Sequence, residues 1–296
     1  MINVTELACA DGTAVRVDGL NNFKISQIFD CGQCFRFDPV ESPRHACEIA
    51  GVAHGRYIRF GQDTPDSVTV YNTTAGEFER IWRHYLALDV DYAEVRRDIA
   101  ERFLAATGGR DVIMPKAMEY GDGIRILRQE PWEAVCSFIV SQNNNIPRIK
   151  KIIAAMSRKW GEPIEYGGET YYSFPTAEAL ADAGEQAIFE LKTGFRAKYI
   201  YDAACRAVSG ELDYAKIGAA APDEAQELLC AIKGVGPKVA ACAMLFGFSK
   251  TEAFPIDVWI KRVLAKYYPD GLDIASLGQY AGIAQQYLFY YERYNA

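Results

Sequence analysis

Residues 230–262 read CAIKGVGPKVAACAMLFGFSKTEAFPIDVWIKR, and this stretch decides how the chain is interpreted. Gly234 and Gly236 allow tight or left-handed backbone turns that a side chain would forbid. Pro237 suits the first turn of a helix, where its missing N–H costs nothing. The stretch therefore predicts a hairpin between two helices. The free amides and positive dipole end of the second helix would bind a phosphate oxygen there.

A lysine and an aspartate follow the predicted hairpin and suggest chemistry beside the bound phosphate. Lys238 lies just inside the second helix, and Asp257 follows 19 positions later, before VWIKRVLAKYY. Attack on a sugar C1′ requires the neutral amine, which burial by the apolar residues 239–248 would favour. The alternative is a solvated lysine that only contacts phosphate. For Asp257 we expect two roles, stabilising positive charge on the sugar and capping the next helix, which would lower its pKa.

Six segments in order resemble the helix-hairpin-helix DNA glycosylase superfamily and, within it, the 8-oxoguanine DNA glycosylases. One of them is the hairpin with its lysine and its Pro-x-Asp-Val aspartate. The others are CGQCFRF (31–37), YLALD (85–89), GIRILRQEPWEAVCSFIVSQNNNIPRI (123–149), GFRAKY (194–199) and YAGIAQQYLF (280–289). The resemblance covers nearly the whole chain. It implies an α+β fold, with a TBP-like antiparallel sheet domain at 1–120 and a helical helix-hairpin-helix domain at 121–296.

The resemblance also implies an activity. It is that of a bifunctional DNA glycosylase and AP lyase that excises 8-oxoguanine from duplex DNA, preferably opposite cytosine, in base excision repair. Lys238 would be the nucleophile that forms a Schiff base and permits β-elimination, with Asp257 as its carboxylate partner. Gly234 and Gly236 would contact phosphate.

Recognition of the damaged base is assigned by the resemblance to four residues. The Gly32 carbonyl would accept the hydrogen that 8-oxoguanine, unlike guanine, carries on N7. Phe289 and Cys242 would sandwich the flipped base, and Gln285 would bind its Watson–Crick edge. Considered without the family, Gly32 is a turn residue in CGQC, Phe289 a core aromatic and Cys242 a buried thiol.

Recognition of the opposite strand is assigned in the same way. Asn143, Arg148 and Arg196 would hydrogen-bond the unpaired cytosine, and Phe195 would wedge into the base stack in place of a tyrosine found in some members. The alternative for residues 143–145 is a helix-capping loop. Two residues depart from the family pattern, because Trp259 stands where many relatives have histidine and Ala241 where some have an acidic residue.

Composition limits the other possibilities. A net charge of −7 opposes DNA binding, which depends on phosphate contacts, so a local basic face is required. The segment 231–266 supplies one: Lys233, Lys238, Lys250, Lys261, Arg262 and Lys266. Of the eight cysteines only Cys31 and Cys34 form a C-x-x-C pair, and no second pair follows to complete a zinc site. No cysteine follows Cys242, so we expect neither a metal site nor an iron–sulfur cluster. The sequence leaves open whether the hairpin binds a monovalent cation. We expect a soluble cytoplasmic monomer with no membrane segment.

Local patterns agree with two domains. Residues 1–75 carry short β-prone runs, including FKISQIF (23–29) and SVTVY (67–71). Residues 77–106 have helical spacing of apolar side chains, and residues 121–296 read as helices with interruptions at 143–147, 161–168 and 234–237.

Three other functions remain open at this point. The chain could remove a different damaged base, or it could be a non-catalytic hairpin module that only binds DNA. A metabolic enzyme with a phosphate-binding hairpin is the third, although no cofactor fingerprint supports it.

Overall fold

The computed structural model describes residues 2–9 and 12–295 and has the α+β architecture that the sequence predicts. The amino-terminal part is a six-stranded antiparallel sheet, in which the strands, numbered along the chain, lie in the order 1-2-6-5-4-3. Its strands are β1 (Asn3–Cys9), β2 (Gly12–Asp18), β3 (Phe37–Pro39), β4 (Cys47–Ala53), β5 (Arg56–Gln62) and β6 (Ser67–Tyr71). The strand predicted for SVTVY is therefore confirmed.

The prediction of a β-prone run at FKISQIF is wrong, because Ile25–Ile28 forms a single helical turn, α1. Ile25 and Ile28 lie three positions apart, so the turn points both into the core of the sheet, where both are fully buried. The buried side chain of Gln62 accepts a hydrogen bond from the Ile25 amide at 2.9 Å. A short run of β-prone apolar residues could not by itself distinguish this turn from a strand.

The segment with helical spacing at 77–106 is helical in two pieces rather than one. The first contains α2 (Ala75–Glu77), a π-helical turn (Phe78–Trp82) and α3 (Arg83–Tyr85), and begins at a capping box of Thr74 and Glu77. Ala87 then takes a left-handed conformation with φ of 50°, which ends the helix. The second piece is α4 (Tyr92–Ala106), and α5 (Ile113–Tyr120) follows it.

Helices dominate the rest of the chain, as predicted. They are α6 (Pro131–Ser141), α7 (Ile146–Trp160), α8 (Ala177–Ile188), α9 (Ala197–Ser209), α10 (Tyr214–Ala219), α11 (Pro222–Cys230), α12 (Pro237–Gly247), α13 (Val258–Tyr267) and α14 (Ala281–Asn295). Short π or 3₁₀ turns occur at Phe189–Thr193, Gly194–Arg196 and Ile274–Tyr280. Across residues 2–9 and 12–295, no helix combines the length and apolar character needed to cross a membrane.

One interruption is a second sheet that the sequence did not predict. Strands β7 (Pro163–Tyr166) and β8 (Glu169–Tyr172) form a hairpin between α7 and α8. Tyr171 stacks on Tyr57 of β5 with ring centroids 3.9 Å apart. The hairpin therefore covers the face of the large sheet that is opposite its main core.

The described residues form two large hydrophobic cores and a small third cluster, in which Ala50, Val52 and Tyr57 pack against the β7–β8 hairpin. One large core lies under the sheet around Phe60 and Trp82, and the other lies among the helices around Ile139, Leu245 and Tyr287. Residues of α4 and α5 pack into the helical core, although they precede position 121. The domain boundary at residue 120 stays a prediction.

Arg125 joins the segments that meet between these cores. Only 2% of it is exposed, and its guanidinium donates to the carbonyls of Asn21 and Ala87, each at 2.8 Å. It also lies 4.4 Å above the ring of Tyr92. Burial lowers the pKa of Arg125, but its hydrogen bonds supply the partners that a buried charge requires.

We expect Arg125→Met to lower the free energy of unfolding by about 3 kcal/mol or more, because several buried carbonyls lose their donor. Arg16→Met is the control, since the Arg16–Asp18 ion pair is exposed and should contribute less than about 1 kcal/mol. Urea unfolding compares the two variants. Equal losses of stability would contradict the role assigned to Arg125.

Candidate active site

The predicted hairpin is present between α11 and α12. Gly234 has φ of +75°, and a Cβ on it would overlap the ring of Tyr199 in α9. Glycine is therefore required there for two reasons, the left-handed backbone and the close aromatic contact. Gly236 is the N-cap of α12, and no side chain caps this helix end. The geometry suits the predicted phosphate contacts of Gly234 and Gly236, which stay a prediction.

The structure brings Lys238, Cys242 and Asp257 together. Lys238 is half-buried in the first turn of α12, and Cys242 follows one turn later on the same face. Burial raises the pKa of the Cys242 thiol to about 11, although a hydrogen bond and the charge of Lys238 act in the opposite direction. The negative charge of Asp257 adds to the rise, so the three polar groups lie close enough for their charges to influence one another.

Asp257 caps α13, as predicted, with Oδ1 accepting a hydrogen bond from the Ile260 amide at 2.8 Å. The prediction that this capping lowers its pKa is wrong. Burial raises the pKa of Asp257, and the effect of burial exceeds the opposing effects of the Ile260 N–H and the charge of Lys238. A carboxylate destabilised in this way accepts protons more readily than an ordinary aspartate.

Gly32 and Phe289 are in contact although they lie at opposite ends of the chain. Gly32 has φ of +77°, and a Cβ on it would lie 3.3 Å from the Phe289 ring. Gln285 lies one turn before Phe289 on α14 and is only 4% exposed. Among the described residues its buried Oε1 has no hydrogen-bond partner. An unpaired buried acceptor costs about 1–3 kcal/mol, so a ligand that donates a hydrogen bond here would relieve that cost.

Helix α14 links these residues to the lysine. A Cβ on Gly282, near the start of α14, would lie 2.7 Å from Leu245 of α12, so the two helices pass in contact. Lys238 and Cys242 are therefore on one of two adjacent helices, and Gln285 and Phe289 are on the other. The two pairs are more than 40 positions apart in the sequence, yet the fold places their helices side by side.

The polar cluster at 141–145 combines a cap with an exposed turn. Asn145 caps α7 by accepting from the Arg148 amide at 3.0 Å, and Asn144 donates to the Val140 carbonyl. The helix-capping interpretation is thus confirmed for Asn145. Asn143 is exposed and left-handed, with φ of 46°. Its side chain can contact another molecule, as its predicted role requires.

The two arginines predicted to contact cytosine differ in their surroundings. Arg148 is exposed and donates to the Lys192 carbonyl at 3.1 Å. Arg196 is 2% exposed, and its guanidinium donates to the carbonyls of Gln142, Asn143 and Thr193. Burial and the charge of Arg148 lower the pKa of Arg196. In this structure Arg196 holds the turn that presents Asn143, whereas Arg148 can reach outward.

Phe195 suits its predicted wedge role in one respect, because 44% of this large apolar side chain is exposed. The guanidinium of Arg196 lies 4.5 Å above its ring, and Tyr199 meets its edge. Tyr199 is also the residue that fills the space beside Gly234. The wedge and the hairpin are therefore packed through one shared aromatic ring.

The basic face at 231–266 is smaller than the sequence suggested. Lys250 is 8% exposed, and its amine donates to the carbonyls of Gly218 and Ala220. It therefore caps the carboxyl end of α10 and does not contribute to an exposed basic face. Lys266 pairs with Glu292 at 3.4 Å. Trp259, which replaces the family histidine, lies 4.8 Å beneath the guanidinium of Arg262, and Ala241 is buried.

All eight cysteines are free thiols. In residues 2–9 and 12–295, no group of three or more His, Cys, Asp or Glu side chains is arranged to hold a metal ion. A monovalent cation in the hairpin and the lack of an iron–sulfur cluster stay predictions.

Comparison with known proteins adds a second line of evidence. Residues 17–135 match the family model described as the 8-oxoguanine DNA glycosylase N-terminal domain. Residues 136–271 match that of the HhH-GPD superfamily base excision DNA repair proteins. The solved 8-oxoguanine glycosylase/lyase of Clostridium acetobutylicum, bound to double-stranded DNA with cytosine opposite 8-oxoguanine, is 38% identical with a TM-score of 0.87. The match covers 99% of this chain and 98% of that chain. The chain belongs to the 8-oxoguanine DNA glycosylase family.

More distant relatives agree with this assignment. A probable N-glycosylase/DNA lyase of Methanothermobacter thermautotrophicus is 34% identical over 200 residues, 58% of this chain and 64% of that relative. The N-glycosylase/DNA lyase of Arabidopsis thaliana is 28% identical over 284 residues, 88% of this chain and 75% of that relative. The chain thus spans less than two thirds of the archaeal relative. The predicted family is confirmed.

The raised pKa of Asp257 predicts how stability changes with pH. A carboxyl group with a raised pKa in the folded state stabilises the protein below its ordinary value of 3.8, and that stability is lost as the pH rises through the folded pKa. Asparagine caps a helix as well as aspartate does but carries no charge. We therefore expect Asp257→Asn to have a higher Tm than the parent at neutral pH, with the difference closing as the pH falls.

Thermal unfolding between about pH 4 and pH 8 measures this difference. Asp213→Asn is the matched control, because Asp213 caps α10 at an exposed position and should show no such pH-dependent gain. A Tm for Asp257→Asn below that of the parent at neutral pH would contradict a destabilised Asp257 carboxylate.

Proposed function

We propose that this chain is a bifunctional DNA glycosylase and AP lyase that removes 8-oxoguanine from duplex DNA. The observation that carries the proposal is that Lys238, at the amino-terminal end of the hairpin helix, lies close enough to Asp257 for the lysine charge to act on that carboxylate. The solved relative bound to DNA with cytosine opposite 8-oxoguanine supports the choice of substrate.

The proposed reaction begins with the neutral Lys238 amine, which attacks C1′ of the damaged nucleotide. The C1′–N9 bond breaks, its electron pair leaves with the base, and the base is protonated. The negative charge of Asp257 stabilises the positive charge that builds on the sugar. Because its pKa is raised, Asp257 can also take a proton from the attacking amine. The nitrogen lone pair then breaks the C1′–O4′ bond, O4′ takes up a proton, and the opened sugar carries a protonated Schiff base at C1′. This Schiff base acidifies C2′–H, and loss of that proton expels the 3′ phosphate.

Recognition of the base is proposed to depend on the residues around Phe289. The Gly32 carbonyl would accept the N7 hydrogen of 8-oxoguanine, and the unpaired Oε1 of Gln285 would accept from its Watson–Crick edge. Guanine has no hydrogen on N7, so its binding would leave the Gly32 carbonyl buried and unpaired, which costs about 1–3 kcal/mol. One such contact discriminates by about one to two orders of magnitude.

The first test is borohydride trapping on a duplex with 8-oxoguanine opposite cytosine. The parent should form a covalent protein–DNA complex, and Lys238→Gln should form less than about one hundredth as much, because glutamine has no amine to form the Schiff base. Lys233→Gln is the control, since Lys233 is an exposed lysine of the same hairpin. Undiminished trapping by Lys238→Gln would refute the assignment. Salt-sensitive binding without base release by the parent would instead indicate a DNA-binding module.

The second test concerns the proposed preference for cytosine opposite the lesion. Arg148→Ala should lower excision opposite cytosine relative to adenine by about tenfold, with little loss of stability, because Arg148 is exposed and makes one internal hydrogen bond. Arg196→Ala should lower both excision and Tm, because it releases the turn at 142–143. An unchanged opposite-base ratio in Arg148→Ala would contradict the proposal.

A further inference from the structure

The segment on either side of Gly32 is held by buried side-chain amides. Gln33 is 1% exposed, and its Nε2 donates to the carbonyls of Ile28 and Arg125, each at 2.8 Å. Its Oε1 accepts from the Leu127 amide, also at 2.8 Å. The side chain thereby bonds the backbone of the 125–127 segment much as a neighbouring strand would. Residues 31–33 are fixed to that segment.

A second glutamine holds the other side of Gly32. Gln286 is 3% exposed on α14, and its Nε2 donates to the carbonyl of Cys31. The carbonyl of Gln33 accepts from the side chain of Gln129 at 2.6 Å. The carbonyls before and after Gly32 are therefore both bonded. Within residues 2–9 and 12–295, no hydrogen bond is found on the Gly32 carbonyl between them.

Glycine by itself cannot fix the direction of a carbonyl, because its backbone samples more conformations than that of any other residue. The energy of a hydrogen bond falls steeply with poor angle and distance. A carbonyl that must distinguish N7–H from a bare N7 therefore needs its two neighbouring peptides held by other groups. Gln286 and Gln33 supply that restraint, and the Phe289 ring lies against Gly32 itself.

We propose that Gln286 and Gln33 are positioning residues that orient the Gly32 carbonyl and so set the selectivity for 8-oxoguanine over guanine. This inference rests on the proposed function. Neither side chain needs to touch the base. Sequence reasoning missed both, although Gln33 lies within CGQC and Gln286 is next to Gln285.

The test uses Gln286→Met, because methionine has a similar size and helix propensity but no amide. Single-turnover release of 8-oxoguanine should fall about tenfold or more. Cleavage at a preformed abasic site should stay within about twofold of the parent, because that step needs no base contact. Gln62→Met is the matched control: Gln62 is a buried glutamine that bonds Phe23 and Ser67 of the sheet domain. It should change neither rate.

Equilibrium binding provides a second readout that a loss of general stability would not move. In the Lys238→Gln background, Gln286→Met should lower the preference for a duplex with 8-oxoguanine over one with guanine, and leave binding to an abasic-site analogue unchanged. Gln33→Met should act in the same direction, and the double variant should show less than the product of the single effects, because both residues fix one segment.

The outcomes separate the two claims. A parent that releases no 8-oxoguanine overturns the proposed function and this inference with it. If the parent is active but Gln286→Met releases the base equally fast, or loses base release and abasic-site cleavage in equal proportion, the inference alone is overturned.

Discussion

The charge of Arg125, buried between the sheet core and the helical core, is the constraint on which the candidate site depends. Gly32 comes from the segment after the first helical turn, whereas Lys238 and Phe289 come from the far end of the chain. Arg125 donates hydrogen bonds to the loop at residues 21–22. The next two residues face opposite cores, since Ile126 packs into the helical core and Leu127 into the sheet core. A buried cation with fixed carbonyl partners tolerates little movement, because any lost partner leaves it desolvated. The two parts of the site are therefore held in one geometry.

Buried amides continue this restraint toward Gly32. The backbone of residues 125–127 is bonded by Gln33, and the same stretch leads into α6, whose Glu133 pairs with Arg36 at 3.1 Å. Burial raises the pKa of Glu133, and the charge of Arg36 acts against that rise. Polar contacts of this kind have strict angles, unlike apolar packing, so they specify one arrangement of the two domains rather than a range.

The sequence predicted what local chemistry determines and missed what distant contacts determine. The hairpin at Gly234, the cap at Asp257 and the strand at 67–71 each follow from residues close in sequence. The helical turn at Ile25–Ile28 and the hairpin β7–β8 form against partners tens of residues away. Asp257 is a further example. Its capping role can be read from the sequence and led us to expect a lowered pKa, whereas the burial that raises its pKa depends on distant contacts.

The raised pKa of Asp257 and the unpaired Oε1 of Gln285 are the same kind of feature. In each case the fold buries a polar group without satisfying it fully, at a cost in stability that packing elsewhere must offset. A charge on the sugar would restore the interaction that Asp257 loses on burial, and a base edge would supply the donor that Gln285 lacks. Binding energy released in this way is available only when a nucleotide occupies the site. Asp257 and Gln285 differ from the other incompletely satisfied buried groups of the described residues because they lie beside Lys238 and Phe289, so a nucleotide bound there could satisfy both.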